Sequence, residues 1–127
     1  MRLKEIIIVG LILLLGLIFR LYELEQRTSF DADQEWLATR SYEMLKGDLP
    51  LLGPVTSVGN FSIGPGFIYL WSVIGMFTNS SPISGAYLSV ILGVVTLLAF
   101  YLFCKHFVDS KTAYVFLFLT SISSNLI

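Results

Sequence analysis

The sequence predicts an all-α membrane protein, on three observations. Of its 127 residues, 55% are hydrophobic and only 13% charged, whereas a soluble domain averages about 25% charged residues. The charges are segregated. Arg2, Lys4 and Glu5 open the chain, seven acidic and four basic residues lie between Arg20 and Asp48, Lys105, Asp109 and Lys111 form the last group, and Leu49 to Cys104 carries none. Finally, the uncharged residues fall into runs of a length that crosses, or nearly crosses, a hydrocarbon core of about 30 Å.

The first helix is expected at about 5–22. Ile6 to Phe19 is uncharged and follows Arg2 and Lys4. A signal peptide would need small residues at a cleavage site, and Arg20-Leu21-Tyr22-Glu23 offers none, so an uncleaved span with Arg20 snorkelling to the interface is expected. A loop over about 23–81 follows, then helix two at about 82–104 and, after a basic turn from Lys105 to Lys111, helix three at about 112–127. The chain stops while still apolar, as a truncated sequence would. Phe61 to Phe77 is apolar enough to span but holds Gly64-Pro65-Gly66 near its start. Treating Phe67 to Phe77 as an interfacial or re-entrant helix, with Tyr69 and Trp71 as interface anchors, puts Arg2, Lys4, Lys105 and Lys111 on one side, as the positive-inside bias favours. The organisation is thus one membrane domain over 1–127, multi-pass in the cell membrane, with a cytoplasmic N-terminus and loop 23–81 non-cytoplasmic.

A net charge of −1 without a basic cluster excludes nucleic acid as a partner. The single cysteine, Cys104, allows neither an internal disulfide nor a cysteine-rich zinc site.

Chemistry concentrates in the outer loop. From Asp31 the residues read as a helix, with Asp31 as N-cap, Gln34 three positions on as in a capping box, and Gly47 as the stop. Ala38, Tyr42 and Leu45 share one face, widened by Trp36, Leu37 and Met44, so the helix is expected to lie on the membrane with that side inward. Asp33 and Arg40 fall beside its edge. Asp31 and Glu35 also read as ordinary first-turn acids; Asp33 is the acid nearest the membrane-facing edge. The glycine- and proline-rich run from Gly47 to Gly66 has no Gly-Lys-Ser/Thr and fits no dinucleotide fingerprint. It reads as an ordered turn-rich connection whose glycines permit close backbone approach to a ligand or another segment, or as a flexible linker.

Arg20, Asp33-Gln34, Glu43-Met44-Leu45-Lys46-Gly47-Asp48 and Gly64-Pro65-Gly66-Phe67-Ile68-Tyr69-Leu70-Trp71 come in the order of a known pattern. Over about Arg20 to Ser121 the chain resembles the N-terminal region of integral-membrane glycosyltransferases of the GT-C fold, the branch with dolichyl-phosphate-mannose protein mannosyltransferases and lipid A aminoarabinose transferases. That pattern has a first membrane helix ending near an arginine, an acidic pair opening a juxtamembrane helix, a glycine-rich turn, and a second juxtamembrane helix. The chain departs from it at Gln34, where the family's pair is Asp-Glu, and at Gly66, where the family has proline. Such enzymes run to several hundred residues, so the chain looks like their N-terminal part.

The resemblance implies an inverting transfer of a sugar from a polyprenyl-phosphate donor to a hydroxyl of a lipid, glycan or protein acceptor, among membrane lipid. It makes Asp33 the catalytic general base and Asp31, Glu35, Arg40 and Tyr69 substrate-binding residues. Arg40 reads equally well as a partner for nearby acids. No cofactor is assigned with certainty, and a divalent metal near Asp31, Asp33 and Glu35 stays open because the residues supply no specific ligand set. The alternative from another class is a small multi-pass membrane scaffold or assembly subunit, indifferent to replacement of Asp33. A transporter is disfavoured, since no acid is expected within the spans.

Overall fold

The computed structural model describes residues 3–29, 31–59 and 61–123. Arg2, Phe30, Asn60 and the end of the expected third helix from Ser124 lie outside the described residues. Among them the chain is all-helical, with α1 Leu3–Leu21, α2 Leu24–Arg27, α3 Ala32–Leu45, α4 Gly66–Phe77, α5 Ser84–Phe107 and α6 Ser110–Ile122. An isolated antiparallel bridge pairs Val55 with Ser62. The short α2 was not foreseen; Glu23, at φ 53°, breaks it from α1.

Among the described residues one helix, α5, is long and apolar enough to cross a membrane by length and composition. Its 24 residues rise about 36 Å. Three such helices were expected. The first, α1, has 19 residues but includes Lys4, Glu5 and Arg20, and α6 has 13, about 20 Å of rise.

The chain divides into two compact units, one formed by Met1–Leu24 with Ser89–Ile127 and the other by Glu25–Leu88. In the first, Val9, Leu97, Tyr101, Ala113 and Leu117 form a buried apolar cluster. Contact between α1 and α6 is close because Gly16 has no side chain: a Cβ there would lie 3.1 Å from Ser121 Cβ and 3.3 Å from Arg20 Nη1. Arg20 does not snorkel. It is 4% exposed, and its guanidinium donates to the carbonyls of Gly16 and Ser121 at 3.2 Å and of Thr120 at 3.4 Å. Three carbonyl oxygens compensate its lost hydration, which is why it stays inside instead of extending to water.

Toward the other end of α1, Glu5 pairs with Lys105 of α5 at 2.9 Å. An acid therefore does sit in an apolar helix, against expectation, though in its first turn and paired. Arg20 approaches Gly93, where a Cβ would lie 3.4 Å from Nε. These contacts make α1 antiparallel to this part of α5, and the Arg20 contacts make α1 run parallel to α6. Asp109 caps α6, accepting from the backbone N–H of Lys111 at 2.7 Å and of Thr112 at 2.9 Å. The Thr112 hydroxyl, 2.6 Å from Asp109 Oδ2, together with these N–H groups holds the carboxyl below its ordinary value.

In the second unit α3 packs on α4 through small residues. Ser72 Oγ lies 2.8 Å from Ile68 O and 3.3 Å from Ser41 O, and a Cβ on Gly75 would lie 3.5 Å from both Ser41 Oγ and Leu45 Cδ1. The buried residue of α3 is Ser41, while Tyr42 is exposed, so the inward side is rotated from the Ala38-Tyr42-Leu45 face and meets α4. Trp71 is no interface anchor: it is 4% exposed and its ring lies over Gly85. A Cβ at Gly85 would stand 2.5 Å from Trp71 Cζ2 and 2.6 Å from Cζ3.

Gly85→Ala is therefore expected to displace Trp71 and destabilise the protein by about 1–3 kcal/mol, the usual scale of overpacking. Gly10→Ala, with nothing within 4 Å of the added carbon, should leave stability unchanged or higher; thermal unfolding in detergent reads both. Arg20→Lys keeps the charge but loses the planar fork that reaches carbonyls on two helices. A lower unfolding midpoint than wild type is expected, and an unchanged midpoint would show that charge alone suffices.

Candidate active site

The candidate residues lie on α3 and α4 of the second unit. The cap of α3 forms as its residues dictate: Asp31 Oδ1 accepts from Gln34 N at 3.0 Å. At the other end Gly47 takes φ 104° and donates to Met44 O at 3.0 Å, while Asp48 N reaches Glu43 O at 3.2 Å. That pair of bonds is a Schellman ending, which needs glycine at the left-handed position.

Asp31 is thus occupied as a cap. Asp33 and Glu35 sit in the first turn, both exposed, and the Asp33 carboxylate accepts no hydrogen bond among the described residues. Arg40 is engaged with acids of its own helix end, 2.7 Å from Glu43 Oε2 and 3.9 Å from Asp48 Oδ2, and its guanidinium lies 5.7 Å from the centre of the Trp36 ring. Spacings of three, seven and ten residues put Asp33, Trp36, Arg40 and Glu43 along one side of α3, with Asp33 about 10 Å from Arg40 along the axis. Tyr69 donates its hydroxyl to Pro50 O at 3.2 Å, tying α4 to the loop that precedes it.

The site residues are therefore gathered on one pair of packed helices without converging on one point. Among the described residues no three His, Cys, Asp or Glu side chains are grouped to hold a metal ion, so Asp31, Asp33 and Glu35 do not make a ligand set. Chemically, the first turn of α3 offers two exposed carboxylates not held in an ion pair or cap, Asp33 and Glu35, of which Asp33 shares its side of the helix with Trp36 and the paired Arg40. No family model matches the chain, and neither a curated protein nor a solved structure shows significant similarity to it.

Sequence reasoning missed the seam that sets α3 against α4. Ser41, Ser72 and Gly75 are its residues, and the available signal was small residues recurring on the faces of apolar helices, which permit close approach.

Proposed function

We propose that the chain is the N-terminal part of an inverting membrane glycosyltransferase that moves a sugar from a polyprenyl-phosphate carrier to an acceptor hydroxyl on the non-cytoplasmic face. The observation that carries this reading is the state of Asp33: exposed, in the first turn of α3, and uncommitted where Asp31 caps the helix and Arg40, Glu43 and Asp48 are paired together. In this mechanism Asp33 takes the acceptor hydroxyl proton. The acceptor oxygen then bonds to the anomeric carbon from the face opposite the phosphate, and the bond from that carbon to the phosphate oxygen breaks. The phosphate leaves as an anion and needs cations but no strong acid; a shift of Arg40 from Glu43 to the phosphate would supply one. Trp36 offers a flat apolar surface to a sugar ring.

The reading includes membrane passage by α1, α5 and α6. Glu5 beside Lys105 supports a common end for the start of α1 and the end of α5. If both helices span, residues 23–81 begin and end on one side, and α4, with 12 residues, lies in the interface and does not cross.

This topology predicts that position 108 is shielded from impermeant thiol reagents in intact cells and position 39, exposed on α3, is labelled, each as a single cysteine in a Cys104→Ser background. Labelling of position 108 from outside would reverse the orientation.

For the chemistry, Asp33→Asn in the full-length enzyme keeps shape and removes the proton acceptor. Sugar transfer from a polyprenyl-phosphate donor should fall by about 10²-fold or more at matched membrane expression. Asp31→Asn should change little, since asparagine caps about as well as aspartate. Normal turnover in the Asp33 variant would remove the assignment and leave the scaffold reading.

A further inference from the structure

The loop from Leu51 to Ile63 is built the opposite way from an ordinary surface loop. Leu51, Leu52, Val55, Val58, Phe61 and Ile63 are between 54% and 85% exposed, and no charged residue lies among them. Its backbone polar groups pair with one another. Gly53 N donates to Ile63 O at 2.8 Å, Ile63 N to Pro54 O at 2.9 Å and Thr56 N to Phe61 O at 3.0 Å. The Thr56 hydroxyl lies 3.0 Å from Val58 O and 3.1 Å from the carbonyls of both Gly59 and Phe61. Gly53 permits this closure, because a Cβ there would stand 2.7 Å from Ile63 O, and Gly59 makes the turn at φ 80°.

In water the exposure of these six apolar side chains is costly, while the internal pairing of the loop backbone is optional. In lipid both features are requirements: side chains must be apolar, and backbone polar groups must be satisfied internally. We propose that the Leu51–Ile63 loop is a lipid-inserting tip that seats these side chains at the headgroup and acyl boundary of the bilayer that α5 crosses. The occupant is lipid, not protein, because the charge-free sequence runs unbroken from the loop through α4 to α5. On the way α4 turns Phe67, Leu70, Val73, Met76 and Phe77 outward. Only six residues separate α4 from α5, so this strip is tethered to the span, and it offers none of the charged rim that a protein interface carries. The proposal rests on the membrane placement given under the proposed function and not on sugar transfer.

The test uses the full chain reconstituted in vesicles of phosphatidylcholine and phosphatidylglycerol, with a Cys104→Ser background. An environment-sensitive fluorophore is placed through Val58→Cys, Phe61→Cys, Thr39→Cys or Val95→Cys. Labels at positions 58 and 61 should be quenched by lipids spin-labelled near the headgroup, and iodide should quench them several-fold less than the label at position 39 on exposed α3. The label at position 95 should be quenched by lipids spin-labelled deep in the acyl chain. Iodide access at 58 and 61 equal to that at 39, with 95 still deep, would overturn the lipid-inserting tip while leaving the span intact. Iodide access at 95 would overturn the membrane placement itself. Protection at 58 and 61 that disappears on diluting protein in lipid would assign the loop to a second copy of the chain and sink the proposal.

Discussion

A guanidinium held by backbone oxygen constrains the first unit more than any apolar contact does. Burying an ion costs several kcal/mol unless it is hydrogen-bonded, and Arg20, which pairs with no acid among the described residues, is met by carbonyls of Gly16, Thr120 and Ser121. Two of these belong to the last turn of α6, where carbonyls lack helical partners and the helix dipole is negative. One side chain thus caps α6 and binds it to α1. The bond also imposes sizes: Gly16 must leave room for Ser121, and Gly93 lies against Nε. That nitrogen and Ser121 Oγ are buried with no partner among the described residues, so the arrangement carries a polar cost that the three carbonyl bonds offset. With Glu5 on Lys105 near the opposite end, two polar contacts fix helix directions that the surrounding leucines and isoleucines leave undetermined.

The second unit follows the same rule with neutral groups. Because α4 is apolar on nearly every face, hydrophobicity does not select which of its faces packs on α3, and small residues and hydroxyls do so instead. Ser72 reaches across to Ser41, and Trp71 finds its place because Gly85 leaves the ring a bed. The turn between α4 and α5 is closed by Thr78 Oγ1 and Ser84 Oγ at 2.6 Å, with Ser84 also donating to Ser81 O. Its left-handed residues, Asn79 at φ 52° and Ser80 at φ 58°, are the backbone cost of so short a connection.

These rules explain what was legible in the sequence. Local grammar was: the Asp31 cap, the Gly47 ending and the two helices of the outer loop follow from contacts within a few residues, and α5 follows from its length without charge. Partners distant in sequence were not. Arg20 reads as a snorkelling cation because nothing near it announces Ser121, and Trp71 reads as an interfacial anchor because aromatic type does not reveal a glycine fourteen positions on. The inward side of α3 was misjudged for a related reason. Leu45 does reach Gly75 of α4, but Tyr42 is exposed, and Ser41 is the residue small enough to let α4 approach.

Under the proposed function, the same geometry separates the acids of α3. Asp31 is held by Gln34 N, and Glu43 and Asp48 are held by Arg40, leaving Asp33 and Glu35 in the first turn. Two residues correspond to about 200° around a helix, so these two point to nearly opposite sides. Measured from Ser41, which marks the side facing α4, Asp33 lies about 80° away and Glu35 about 120° in the other sense. Asp33 therefore borders the α4 seam and shares its side with Trp36 and Arg40, whereas Glu35 faces away from all three. In the proposed reaction a substrate bound against the α3–α4 pair would meet Asp33 and not Glu35, which makes Glu35 an internal control of the same charge, in the same turn, on a different side of the helix.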